Sequence, residues 1–131
     1  LALLEAAKQQ GVTHHAGLTA TASGFYGSQG RTVPGFTPRN PELFAELDSM
    51  NVLNIEMESS CLFTLGSFRG FRTGTVCAVY ANRHANEFID DDTKDLAEKR
   101  CIETGLAAIK ILADMDKAKG SEKNWLPSMG V

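Results

Sequence analysis

The chain has 131 residues, of which 43% are hydrophobic and 22% charged, with a formal net charge of -3. That length and balance suit one modest globular domain with a buried core. The charge leaves no basic footprint for nucleic acid, and no apolar run is long enough for a membrane span or opens the chain as a signal peptide. Neither nucleic acid nor a membrane is therefore an expected partner.

Residues 1–10 have the apolar spacing of an amphipathic helix, with Gly11 as a left-handed stop. The pattern starts without an initiator Met or a capping residue, so the expectation is of a chain that has been cut, processed or partly observed. Residues 14–20, rich in Thr, His and small residues, are expected to form a strand. A loop over 21–39 follows, punctuated by Gly24, Gly27, Gly30, Pro34 and Gly35. Asn40-Pro41-Glu42 signals a helix start: a capping amide, Pro at the first helical position, then an acid near the positive dipole end. That helix is expected to run to about residue 50. A short strand over 52–55 and a helix over 58–68, stopped by Gly70, come next.

The run Thr75-Val76-Cys77-Ala78-Val79-Tyr80 predicts a central strand over 73–80, covered on both faces. A polar loop spans 81–92, and a long helix begins at Thr93, with Leu96, Ile102, Leu106, Ile109 and Leu112 as its apolar positions. Past Met115 the chain turns polar, and residues 116–131 are expected to be a loosely held tail. Alternating helices and strands imply an α/β architecture around a central sheet. Three strands leave edges unpaired and faces uncovered, so the remaining strands must come from an amino-terminal half or from a partner.

In open α/β sheets, ligands bind beyond the carboxyl ends of the strands. Just past the predicted strand ends lie Phe25 to Arg31, Glu56-Met57-Glu58 and Ala81-Asn82-Arg83. Gln29 can accept one hydrogen bond and donate two, while Arg31 only donates. That pair matches a planar heterocycle with adjacent carbonyl and ring N–H groups, such as uracil, and Phe25 can pack on such a ring. The alternative is a flexible Gly-rich loop whose Arg31 pairs with a surface acid. Of Glu56 and Glu58, one could accept from two sugar hydroxyls and the other could pair with a cation or cap the next helix. Alternatively, both could simply complement the positive helix start.

Other conspicuous residues carry less. His14 and His15 are neighbours on a strand, point to opposite faces and lack a third ligand at suitable spacing. Asp90-Asp91-Asp92 precedes the final helix, where capping accounts for it. Ser59-Ser60-Cys61 has no nucleophile-elbow pattern and no nearby base. Cys61, Cys77 and Cys101 are odd in number, lie in apolar stretches and are expected to be reduced core thiols of a cytoplasmic protein.

Taken together, Phe25-Tyr26-x-x-Gln29-x-Arg31, Asn54-Ile55-Glu56-Met57-Glu58-Ser59 and Ala81-Asn82-Arg83 resemble the uridine-cleaving branch of the nucleoside phosphorylase type I family. Purine-cleaving relatives and nucleosidases carry Ser-Asp where this chain has Asn82-Arg83. The resemblance implies a three-layer α/β fold with a mixed central sheet flanked by helices. Residues 1–115 would be the carboxyl-terminal half of one such domain, and 116–131 have no counterpart. It implies phosphate-dependent cleavage of uridine to uracil and ribose 1-phosphate, with inorganic phosphate as co-substrate and neither metal nor organic cofactor.

Residue by residue, the resemblance puts Gln29 and Arg31 on the polar edge of uracil as the catalytic pair, stabilising charge on the departing base, with Phe25 against its ring. One such donor is typically worth about 3–4 kcal/mol. Met57 and Glu58 would hold the ribose, with Glu58 on its hydroxyls, and Glu56 would support an arginine of the phosphate site. Tyr80, Ala81 and Arg83 would border the base, with 81–92 as a lid. Tyr80 stands where the family prefers a small aliphatic residue, and Gly24 and Gly30 replace larger ones. The family associates into dimers or hexamers with shared sites. Its phosphate ligands belong to an amino-terminal half, without which this segment could not complete phosphorolysis. The alternatives are a purine nucleoside phosphorylase or nucleosidase, or a non-catalytic nucleoside-binding subunit.

Overall fold

β-Branched and small side chains dominate Leu18–Thr21 (β1) and Val52–Glu56 (β2), which pair as parallel strands in a computed structural model describing residues 1–130. Thr19 faces Asn54, Ala20 faces Ile55 and Thr21 faces Glu56, with a register irregularity between Leu18 and Thr19. Asn54 reinforces the pairing by donating from Nδ2 to Thr19 Oγ1 at 3.0 Å. Strand β1 starts later than the expected residue 14, leaving His14 and His15 exposed ahead of it.

The chain divides into two compact units, and His15–Thr75 is the one that holds this sheet. Its helix α2, Leu43–Ser49, starts two residues after Pro41. Asn40 still acts locally, its Oδ1 accepting from the Glu42 N–H at 3.1 Å. Helix α3, Ser59–Arg69, ends at Gly70, whose left-handed φ of 70° lets the chain fold back. The Phe71 N–H then reaches the Gly66 carbonyl at 2.8 Å and the Gly70 N–H reaches that of Ser67, a Schellman stop. This return lays Thr73 against Gly66, where a Cβ would fall 2.2 Å from Thr73 Cγ2. The buried Ser59 donates to Thr75 Oγ1 at 3.0 Å and fixes the same segment from the other end of the helix.

The second unit is Leu1–His14 with Val76–Val131, of which Val131, the last residue of the expected tail, lies outside the described residues. Helix α1, Ala2–Gln9, packs on the long α4, Asp91–Lys119, around Ala6, Ala108, Ile111 and Met115. Alanines at 6 and 108 let the two backbones approach, and Thr104 ties them by donating to Gln10 Oε1 at 3.1 Å. A short hairpin, β3 Ala81–Asn82 with β4 Glu87–Phe88, precedes α4. Asp90 caps α4, accepting from the Thr93 N–H at 2.7 Å, and that bond holds its carboxyl below the usual range.

Several expectations change here. The apolar run 73–80 forms no strand among the described residues; the ladder starts only at Ala81, because a strand needs a paired backbone and not just suitable side chains. Val76 instead sits beside α4, its carbonyl accepting from Cys101 Sγ at 3.3 Å. The buried face of α4 keeps only Leu112 of the predicted stripe, packed against the core: Leu96, Ile102, Leu106 and Ile109 are exposed, and Thr104, Ala108, Ile111 and Met115 are buried. The helix runs past Met115 to Lys119, and Trp125 packs against the α1–α4 core, so the segment is less loose than its polarity suggests. Cys61 and Cys77 are exposed and Cys101 is half-buried, so none is the core thiol expected.

Gly66→Ala is expected to lower stability by about 1–3 kcal/mol, since the new methyl must displace a β-branched neighbour. A reduced urea midpoint with unchanged slope is the readout.

Candidate functional site

Thr21 and Glu56 stand side by side at the carboxyl ends of β1 and β2, and the candidate residues follow directly from those ends. After β1 the chain adds one more sheet-like bond, Ala22 N–H to the Glu56 carbonyl at 2.8 Å, then turns through a 3-10 segment at Gly27–Gln29. Gly30 takes a left-handed φ of 64°, which any side chain resists. The reversal brings the Arg31 N–H to the Tyr26 carbonyl at 3.0 Å and folds Arg31 back over Phe25. The guanidinium carbon lies 4.0 Å from the Phe25 ring centroid, a close cation–π stack. Tyr26 meets Phe25 edge-on, with centroids 5.2 Å apart.

This loop is polar within and aromatic at its surface. Gln29 is 7% exposed, while Phe25 is about half exposed. Arg31 Nε is buried with no hydrogen-bond partner among the described residues. A buried N–H that donates to nothing costs about 1–3 kcal/mol, so the group has an unmet demand for an acceptor. Phe25 therefore stacks on the arginine, where the resemblance had implied only packing on a base.

Beyond β2, Glu56 turns its carboxylate inward. Oε1 accepts from the Thr21 hydroxyl at 2.5 Å and, at 3.5 Å, from that of Thr19. Oε2 accepts from the backbone N–H groups of Glu58 at 2.8 Å and Ser59 at 2.6 Å. Burial pushes this carboxyl up, but the Thr21 hydroxyl and the Ser59 and Glu58 N–H groups outweigh it and bring it down to about 2. Glu56 is thus an ionised anchor whose oxygens are already engaged. Met57 and Glu58, held by that anchor, are exposed, and the nearest donor to Glu58 is the adjacent Met57 N–H at 3.2 Å.

The remaining candidates, Tyr80, Ala81 and Arg83, belong to the other unit. The Tyr80 hydroxyl donates to Glu98 of α4 at 2.5 Å, and Lys94 Nζ lies 5.7 Å from its ring centroid. The bond to Glu98, with lesser help from burial, pushes the phenol up to about 12. The Tyr80 carbonyl accepts from the Ile89 N–H at 3.1 Å, closing the hairpin in which Ala81 pairs with Phe88. Arg83 is half-buried in the turn, which Asn86 completes at a left-handed φ of 54°. The sequence reading overlooked Thr21 and Glu98; a Thr at the end of a strand that faces an acid was the available signal for the first.

A phosphorylase superfamily model matches residues 1–113. A uridine phosphorylase of Thermococcus kodakarensis is 41% identical over 98% of this chain and 46% of its own length. That of Escherichia coli is 36% identical over 85% of this chain and 45% of its own. A uridine and thymidine phosphorylase of Caenorhabditis elegans is 31% identical over 78% of this chain. The chain spans less than half the length of these curated relatives.

The Glu56 anchor has a pH signature. Its folded value of about 2 lies below the usual 4.5, so its stabilisation is complete above about 4.5 and is lost as pH falls towards 2. Glu56→Gln is expected to flatten the dependence of the urea midpoint on pH across that window. A slope equal to that of the native chain contradicts the assignment.

Proposed function

The chain belongs to the phosphorylase superfamily, and on that premise we propose that it is the base- and ribose-binding part of a phosphorylase that cleaves uridine. The observation that carries this reading is the loop of Phe25, Gln29 and Arg31. It sets the buried amide of Gln29 two residues before a buried guanidinium N–H that lacks an acceptor. A uracil edge, with two carbonyls flanking a ring N–H, is complementary to that set. The curated relatives named for uridine support the same substrate.

In phosphorolysis a phosphate oxygen bonds to C1′ as the bond from C1′ to the base nitrogen breaks, and its electron pair leaves with uracil. The sugar passes through an oxocarbenium-like state while negative charge grows on the base. Arg31 and Gln29 meet that charge on the carbonyl edge, and the Phe25 face across the guanidinium keeps the arginine in place and partly dry. Met57 and Glu58 take the ribose, Glu58 accepting from its hydroxyls. Tyr80, Ala81 and Arg83 are assigned to the border of the base pocket. Glu56, with its oxygens engaged, contributes by holding the turn.

Inorganic phosphate is the co-substrate, with no metal or organic cofactor in the scheme, and its ligands are assigned to protein outside this chain, the amino-terminal half of the domain. The active form is a cytoplasmic homo-oligomer, dimer or hexamer. Among the described residues, no helix is long and apolar enough to cross a membrane.

In the whole protein, Arg31→Ala is expected to lower uracil release from uridine by about a hundredfold or more, from the typical worth of one charge-stabilising donor. His14→Ala, at an exposed ring beside the Val12 carbonyl, is expected to leave it unchanged. Equal losses contradict the site, and release of hypoxanthine from inosine without uracil from uridine overturns the substrate.

A further inference from the structure

Thr21 ends β1 and is assigned to neither the base nor the sugar. Its hydroxyl nevertheless does two things at once. It donates to Glu56 Oε1 at 2.5 Å and accepts from the Ser60 N–H at 3.0 Å. One oxygen atom therefore joins the end of β1, the end of β2 and the first turn of α3. Between the last two lie only Met57 and Glu58, and Glu56 Oε2 grips the far side of that turn through the N–H groups of Glu58 and Ser59.

We propose that Thr21 is a positioning residue for the ribose subsite, clamping the Met57–Glu58 turn through Glu56 on one side and Ser60 on the other. This rests on the assignment of Met57 and Glu58 to the sugar. Thr21 does not touch the sugar in this scheme; it acts through the two groups it binds. A site carboxylate must be held to within a fraction of an ångström to meet two hydroxyls, and an exposed side chain such as Glu58 takes its placement from its backbone. Threonine suits the task because its branched Cβ fits a strand and limits χ1, while its hydroxyl is both donor and acceptor. Valine keeps the shape and loses both bonds; serine keeps both bonds on a freer χ1.

Thr21→Val and Thr21→Ser, made in the whole protein, test the clamp through amide hydrogen exchange at Glu58, Ser59 and Ser60 and calorimetric binding of uridine and of free uracil. Thr21→Val is expected to speed exchange at those amides and to weaken uridine about tenfold, the usual scale for a lost charge-assisted bond, with uracil nearly unchanged. Thr21→Ser is expected to restore both. Exchange like that of the native chain, or uridine and uracil weakened alike, overturns the proposal. A native whole protein that takes no uridine, with exchange still accelerated in Thr21→Val, overturns the ribose assignment and leaves the clamp standing. Where Thr21→Val does not fold, Thr21→Ala is read in the same way.

Discussion

The carboxylate of Glu56 accepts from a side chain on β1 and from two backbone groups at the head of α3, while its own residue closes β2. In the unit His15–Thr75, the geometry beyond the strand ends depends on that one ion staying charged and placed. Its donors include N–H groups at a helix start, which have no carbonyl partner within the helix. Removing the acceptor strands several donors at once, a larger loss than any single bond. The low pKa of Glu56 is the same fact expressed as proton affinity.

The loop after β1 depends on a second kind of restraint. It has little regular structure, and a glycine reversal with an arginine laid over a phenyl ring gives it shape. The stack fixes the plane of the guanidinium without consuming its N–H groups, unlike a salt bridge to a carboxylate.

Apolar surface is left uncovered on α3 and α4, most plainly at Leu65, Phe68, Ile102, Leu106 and Ile109. A helix apolar on more than one side normally has protein on more than one side. One unit holds a sheet of two parallel strands and the other a short hairpin, an incomplete form of the α/β fold of the family.

Much of this molecule was legible locally. The helices over residues 2–9 and 59–69, the final helix from about Thr93 to Met115 but not its last turn, the Gly70 stop and the Asp90 cap follow from spacing and from side-chain groups that act on their own backbone. The residue types beyond the strand ends, Gln29, Arg31 and the acids at 56 and 58, were equally visible, because donor and acceptor inventory belongs to the side chain itself. Whatever depends on a partner distant in the chain was settled by tertiary structure. The inward turn of Glu56 needs Thr21, 35 residues away. The buried face of α4 was decided by α1, since two apolar stripes on one helix look alike until one of them is covered. The run ending at Tyr80 has the composition of a strand but not the pairing, and pairing is a property of two backbones that no single stretch of sequence contains.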